Sequence, residues 1–350
     1  MLNTRSLEIW LETASRRGIL AHLAGSGPVE HSDDLLCQRS VYRIRGEIYA
    51  LVKVQGNELL LVYSPRGNTA CRFEGTRKTH GGMDFQFCPL QHENAVRLRK
   101  LLPHTAPRVH KGREASFGTG DRLGIASPGH IHGVSSFRVF PVFAQQSAWE
   151  LERISRDFGE VVDAATWAVF RERYEEPWGA DGDHLKTEDW VRKARSAGCT
   201  MITADVSDYI REKYAYVNLQ EVRADFSAMP EEQKKVVDVL LKKKALKIKQ
   251  EVLIRFSEEE LVRTACVYRE ALERAARLYR ACLEESGDVD FELSIDETAF
   301  PTSLLAHQYI SMEMQRMEVS LYSAAPRFVG SFQKALDYEG ELRGGALHNR

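Results

Sequence analysis

Residues 178 to 207 read WGADGDHLKTEDWVRKARSAGCTMITADVS, and the order of textures within them decides the fold. A short stretch reading as a strand ends in Asp181, Asp183 and His184. TEDWVRKARSAG then carries apolar residues at helical spacing, and CTMITADVS (199 to 207) is apolar again. Strand, helix and strand in this sequence are the unit of a parallel sheet with helices outside it. The stretch also crowds Asp181, Asp183, His184 and Lys186 into one strand tip. A polar loop explains one such cluster; the rest of the chain decides whether it explains this one.

The alternation extends both ways from about residue 113. Further strands are expected at ASFGTGDRLGIA (115 to 126), RVFPVFAQQ (138 to 146), FELSIDE (291 to 297) and EVSLYSAAPRF (318 to 328). LERISRDFGEVVDAATWAVFRERY and SLLAHQYISMEMQRM supply helical patterns between them. Polar residues gather at the same end of each strand: Asp121 and Arg122, Gln145 and Gln146, Asp183 and His184, Asp205 and Asp208, Asp296 and Glu297, and Arg327. In a (β/α) barrel that end is the catalytic face. The fold expected is α/β, a (β/α)8 TIM-type barrel of which about six βα units are visible, where eight close the ring.

Two regions differ in texture. Residues 1 to 112 contain VYRIRGEIYALVKV and ELLLVYS, separated by Gly and Asn as in a hairpin, and read as an N-terminal α/β appendage; 113 to 350 read as the partial barrel. Between the fourth and fifth barrel strands lies a helical insertion, about 209 to 288. Pro230 opens one of its helices, and a capping box from Ser257 to Glu260 opens another that runs to about Glu285. The basic run KKVVDVLLKKKALKIKQ is flanked by Glu231, Glu232 and Glu251 and reads as a solvated helical face.

Composition narrows the function. Hydrophobic residues make up 43% and charged residues 28%, and 48 basic against 50 acidic residues give a net charge of −2. No field favours a polyanion, so nucleic acid is not an expected partner. The absence of a long apolar run excludes a membrane span, and MLNTRSLEIWLETASRRGIL is too charged for a signal peptide. Cys37, Cys71, Cys88, Cys199, Cys266 and Cys282 form no zinc-ribbon spacing and read as reduced, buried thiols of a cytoplasmic protein.

The strand-end chemistry is that of a metal site with acid–base groups. His184 among carboxylates suits a divalent metal cation such as Zn or Mn. Neighbours in a strand point to opposite sides, so Asp183 and His184 share the site only if the strand has ended, as Gly179 and Gly182 permit. Glu292, Ser294 and Asp296 share one face by the period-two rule, with Glu297 at the tip. An inward carboxylate is costly unless paired, protonated or metal-bound; a salt bridge from Glu292 to a neighbouring strand is the structural alternative. SFGTGDRLG lacks the dinucleotide-binding pattern, and Pro128-Gly129 follows it, which leaves Arg122 and Arg327 as the anion handles.

Taken in order, SFGTGDRLGIASPGHI (116 to 131), VFPVFAQQS (139 to 147), VVDAATWAVF (161 to 170), GADGDHLKTEDW (179 to 190), GCTMITADVSDYI (198 to 210), FELSIDETAFPTSLLAHQYI (291 to 310) and APRFVGSFQKALDY (325 to 338) resemble the tagaturonate epimerase family. The resemblance implies a metal-dependent isomerase of hexuronate catabolism, with a small-molecule sugar acid as partner and assembly into a homo-oligomer open. It implies that Asp183 is the proton acceptor, that His184 is a metal ligand, and that Glu292, Asp296 or Glu297 is the proton donor, with strand-tip position favouring Glu297. Asp121, Arg122, Gln145, Gln146, Lys186, His307 and Arg327 fall in segments that would line the sugar-acid site. The family's usual GADADH is GADGDH here, its SIRE is SAWE, and VSLYSAAPRF carries two extra residues. After DYEGELRGG the family continues into a strand bearing HSGSDK and the remaining histidine ligands, for which His348 is the stand-in. The chain is therefore expected to be truncated, or completed by a partner.

The reaction implied is inversion at C4 of a 2-keto sugar acid. C4 is not adjacent to the ketone, so enolisation acts at the wrong carbon. A retro-aldol route solves this: Asp183 takes the C4 hydroxyl proton, the C3–C4 bond breaks, and the aldehyde fragment turns and recombines on its other face. A metal-dependent aldolase on a related sugar acid, and a non-catalytic family member, are the competing readings.

Overall fold

A computed structural model describes residues 4–25, 34–64, 73–110, 115–248, 252–285, 287–331 and 337–340. Cys71, His348 and the expected domain junction at 112/113 lie outside these residues. The chain divides into two compact units: Met1–Ala180 with Ala197–Cys199, and Asp181–Ser196 with Thr200–Arg350.

In the first unit, α1 (Thr4–Arg16) and α2 (Ile19–Leu23) precede β1 (Tyr42–Ile44), β2 (Glu47–Val54), β3 (Asn57–Ser64), β4 (Thr76–His80) and β5 (Met83–Pro89). These strands form an antiparallel sheet in the order β1-β2-β3-β5-β4. Two-residue turns at Arg45-Gly46, Gln55-Gly56 and Gly81-Gly82, all at positive φ, close three hairpins with the twist that adjacent strands need. Then follow α3 (His92–Leu101), β6 (Ala115–Gly118), α4 (Ser127–Val134), β7 (Val139–Ser147), α5 (Ala148–Ile154) and α6 (Phe158–Glu172).

Period-two alternation gives the antiparallel sheet two apolar faces. Ile48, Ala50 and Val52 pack with Leu7, Trp10 and Leu11 of α1. Leu51, Leu60 and Val62 pack with Ala95 and Leu98 of α3 and with Trp167 and Phe170 of α6. A helix expected to cover only barrel strands thus also closes the appendage core, and this joins β6 and β7 to the N-terminal unit. The single helical pattern of 151–174 is two helices: Ser155 turns left-handed at φ 54, and an Asp157–Glu160 capping box starts α6.

The second unit continues with β8 (Gly179–Leu185, its first two residues counted with the first unit), α7 (Glu188–Ser196), β9 (Met201–Asp205), α8 (Leu219–Ser227), α9 (Glu231–Lys243), β10 (Ala245–Ile248), β11 (Val252–Arg255), α10 (Glu258–Cys282), β12 (Asp290–Ile295), α11 (Leu304–Arg316) and β13 (Ser323–Pro326). β8, β9, β12 and β13 are parallel neighbours in that order. With β7 and β6 they make a six-stranded sheet, β13-β12-β9-β8-β7-β6, an α/β arrangement compatible with part of a barrel. The expected strands 115–126 and 318–328 shrink to β6 and β13: a polar, Gly-containing turn after Gly118 takes up the rest of the first, and irregular backbone that begins at Glu318, at φ 60, precedes the second.

The insertion departs from its helical reading in one place. ALKI of the basic run leaves the helix at Lys244, whose φ is 60, and pairs with VLIR as an antiparallel hairpin. Its alternation of apolar and charged residues is a strand signal that the lysines obscure. α10 buries Leu261, Ala265, Tyr268, Leu272 and Ala275 at helical spacing, and its Ser257 cap accepts from the Glu260 N–H. Cys88, Cys199, Cys266 and Cys282 are buried and Cys37 is half-buried; burial pushes the Cys266 thiol up to about 11. Among the described residues no helix is long and apolar enough to cross a membrane.

Gly182 in β8 is a packing requirement. A Cβ there would stand 2.8 Å from Ala194 Cβ and 3.0 Å from Leu185 Cδ1. Replacing it with the alanine of the family's usual pattern is expected to cost about 1–3 kcal/mol through overpacking, read as a lower urea midpoint; an unchanged midpoint would show that α7 can retreat freely.

Candidate active site

The tip of β8 is irregular, and the irregularity builds the site. Asp181 and Gly182 pair with Met201 and Ile202, whereas Leu185 pairs with Ala204, so β8 holds one residue more than β9 over the same span. His184 takes up the excess at φ 50, a left-handed conformation that non-glycine residues rarely adopt. The bulge breaks the alternation that would send Asp183 and His184 to opposite sides. Within the strand, and not after its end as expected, His184 Nδ1 comes to 3.6 Å from Asp205 Oδ2 and its Nε2 to 3.9 Å from Asp183 Oδ1.

Asp205, the last residue of β9, is 4% exposed. It accepts the Ser207 N–H at 3.0 Å and the Ser207 hydroxyl, and Lys186 Nζ stands 3.5 Å away. Burial pushes the Asp205 carboxyl up, but His184, Ser207 and Lys186 together hold it well below the usual carboxylate range. His184 is the counterpart. Its pairing with Asp205 raises it, burial opposes, and Asp183 and Asp296 add to the rise, which reaches about 9. Lys186 also bonds both oxygens of Asp208, at 3.1 and 3.0 Å.

Glu297 follows β12 and is exposed, with Oε2 3.4 Å from Ser207 Oγ. One donor atom each from His184, Asp205 and Glu297 lie within 4.8 Å of one another, the one such cluster of metal-ligating side chains among the described residues. An imidazole with two carboxylates suits Zn, Mn or a related divalent ion. The other two carboxylates of FELSIDE are placed differently. Glu292 lies earlier on the strand, where Ser323 Oγ donates to it at 2.5 Å and Thr203 Oγ1 bridges it, at 3.3 Å, to Asp181 at 3.0 Å. Asp296 accepts the Ser294 hydroxyl at 2.6 Å.

His307 is exposed in the first turn of α11, and Arg327 is exposed after β13, where its backbone N–H and C=O both bond Thr302. In the first unit the remaining expected residues form a cluster of their own. Arg122 Nε bonds Glu150 at 2.7 Å, and Gln146 Nε2 bonds the other oxygen of Glu150 at 2.8 Å. Gln145 is half-buried on β7. Asp121 braces the turn into α4, its oxygens accepting N–H groups of Ile125, Ala126 and Ser127 and the Ser127 hydroxyl. Asp205 is a strand-end carboxylate of the sequence that carried no assigned role there; its signal is an Asp closing the apolar run MITA.

Asp121 provides a pH test. Burial raises its carboxyl, but the Ser127, Ile125 and Ala126 hydrogen bonds outweigh this and hold it below the ordinary value. A depressed folded pKa contributes stability that is present above the unfolded value of about 3.9 and is lost as pH falls through the folded one. Asp121→Asn is expected to lower stability by about 1–3 kcal/mol at neutral pH, with the gap narrowing below pH ~4, measured by urea unfolding. A gap that does not change with pH would remove the carboxylate from this role.

The model of the tagaturonate epimerase family matches residues 37–345. The chain is 39% identical over 302 residues to the tagaturonate/fructuronate epimerase of Thermotoga maritima, covering 84% of this chain and 60% of that protein. It is also similar to crystal structures of fructuronate-tagaturonate epimerase from Cohnella laeviribosi. The one-glycerol complex has a TM-score of 0.81 at 35% identity and covers 96% of this chain and 66% of that one. The native form has a TM-score of 0.80 at 33% identity, with 95% and 66% covered. The chain thus spans 60% of the curated relative's length. On the extent of these matches, it belongs to the tagaturonate epimerase family.

Proposed function

We propose that the chain interconverts tagaturonate and fructuronate by inverting C4 of the keto sugar acid at the tips of β8, β9 and β12. The six parallel strands are then part of a (β/α)8 barrel. The meeting of His184, Asp205 and Glu297 within 4.8 Å, with Asp183 beside them, carries this reading.

His184 and Asp205 would hold a divalent cation, with the exposed Glu297 beside it left to carry the proton. When bound, the cation supplies a Lewis-acidic charge for substrate oxygens. Asp183 accepts the C4 hydroxyl proton, and cleavage of C3–C4 leaves an aldehyde at C4 and an enediolate over C2 and C3. Rotation of the aldehyde presents its opposite face, and C3–C4 reforms with inversion. Glu297, the exposed carboxylate, enters protonated and gives its proton to the new C4 oxygen, and the proton held on Asp183 passes back to it through solvent before the next turnover. Lys186, held between Asp205 and Asp208, offers an ammonium to the substrate's anionic end.

The test is to incubate the chain with either sugar acid and a divalent metal in deuterated water. The expected product is the C4 epimer with its C4 hydrogen retained. Asp183→Asn should lower kcat by about 10²–10⁴-fold. Deuterium at C4 would overturn the carbon–carbon cleavage, and trapping of a free aldehyde without epimer would make the chain an aldolase.

A further inference from the structure

Arg274 belongs to the insertion, in the middle of α10, and is 8% exposed. Its Nη2 donates to the Lys186 carbonyl at 2.6 Å and its Nη1 to Glu188 Oε1 at 2.5 Å. Its Cζ lies 5.6 Å from the centre of the Tyr209 ring. One guanidinium therefore touches both loops that carry the site, the one after His184 and the one after Asp205. The same helix holds the second loop again: Arg211 N–H donates to the Val267 carbonyl at 2.9 Å, and Arg211 Nε bonds Glu270 at 3.0 Å. Spacings of three and four residues put Val267, Glu270 and Arg274 on one side of α10.

We propose that Arg274 is a positioning residue: it fixes the Lys186 backbone, and through it the Lys186 ammonium and the bulged His184, in the geometry the site requires. Stability alone does not account for a cation at this place. A buried guanidinium is costly to desolvate unless fully paired, and the Nε of Arg274 is buried without a hydrogen-bond partner. An apolar residue would keep α10 packed without that cost. What only the planar fork supplies is a simultaneous hold on a main-chain carbonyl and a carboxylate. That carbonyl lies two residues past His184, whose φ of 50 persists only where the surroundings over-determine it. It also belongs to the residue whose side chain reaches Asp205 and Asp208.

The activity half of this inference rests on the proposed epimerisation, and the structural half does not. The full chain and its Arg274→Met, Arg274→Lys and Glu188→Gln variants are compared by hydrogen exchange, thermal melting and steady-state kinetics. Arg274→Met should exchange roughly tenfold faster in peptides covering 183–188 and 206–210, with the amides of α10 unchanged. Its kcat should fall by about 10²-fold while KM stays nearly constant, as displacement of catalytic groups requires. Arg274→Lys should recover part of both, because an ammonium can still hold the carbonyl, and Glu188→Gln should fall between the parent and Arg274→Met, because its amide oxygen still accepts from the guanidinium but no longer balances its charge. Wild-type exchange in the two segments, or a uniform rise across the second unit, would overturn the proposal; should Arg274→Met not fold, the Arg274→Lys exchange pattern decides alone. A parent chain without epimerase activity would sink the proposed reaction and leave the exchange result to judge Arg274.

Discussion

The pairing of His184 with Asp205 across β8 and β9 is the interaction around which the second unit's site is arranged. It requires a ring and a carboxylate from adjacent parallel strands to face the same side, which regular pairing allows only at matching registers. β8 achieves it by holding one extra residue, and the cost is a left-handed histidine. Contacts around it offset that cost. Ser207 fixes Asp205 from within its own loop, and Lys186 places a cation beside it. α10 braces the loops after both strands. An insertion of the fold thereby becomes a support of the site.

The sequence made the parallel strands and their order legible because each is a short apolar run ended by polar residues. It could not show where the strands stop. GDRLG continues the texture of β6, yet Asp121 folds it into a turn that caps α4. The helical pattern of 151–174 hides a break because Ser155 and Asp157 are ordinary polar residues until their φ values and caps are seen. The hairpin of β10 and β11 was obscured by lysine content, since charge says little about period. The second packing face of α6 escaped for a different reason. Burial of Trp167 and Phe170 against the N-terminal sheet is a long-range choice, and no local pattern distinguishes it from covering a barrel strand.

Residue types at the site were readable, whereas their grouping was not. Glu292, Asp296 and Glu297 could not be separated by periodicity. They are separated by what surrounds them: serine and threonine hydroxyls on neighbouring strands hold Glu292, the Ser294 hydroxyl holds Asp296, and Glu297 reaches past the last strand residue to His184 and Asp205. Arg274 carried no signal at all, because a helical arginine in a charged insertion looks like any solvated cation until its burial is known.

The charge balance at the strand tips bears on what the site accepts. Asp183, Asp205, Asp208, Asp296 and Glu297 surround or approach His184 and Lys186. Lys186 is already shared between Asp205 and Asp208, and Asp205, Asp183 and Asp296 raise the His184 imidazole to about 9, which favours its protonated form at neutral pH. A sugar acid brings a further negative charge into that surplus, where like charges at a few ångströms repel. A divalent cation among His184, Asp205 and Glu297 would displace the imidazole proton and add positive charge where the proposed sugar acid would approach. The arrangement that draws a proton onto His184 is thus also the one that would draw a cation, and with it an anionic ligand.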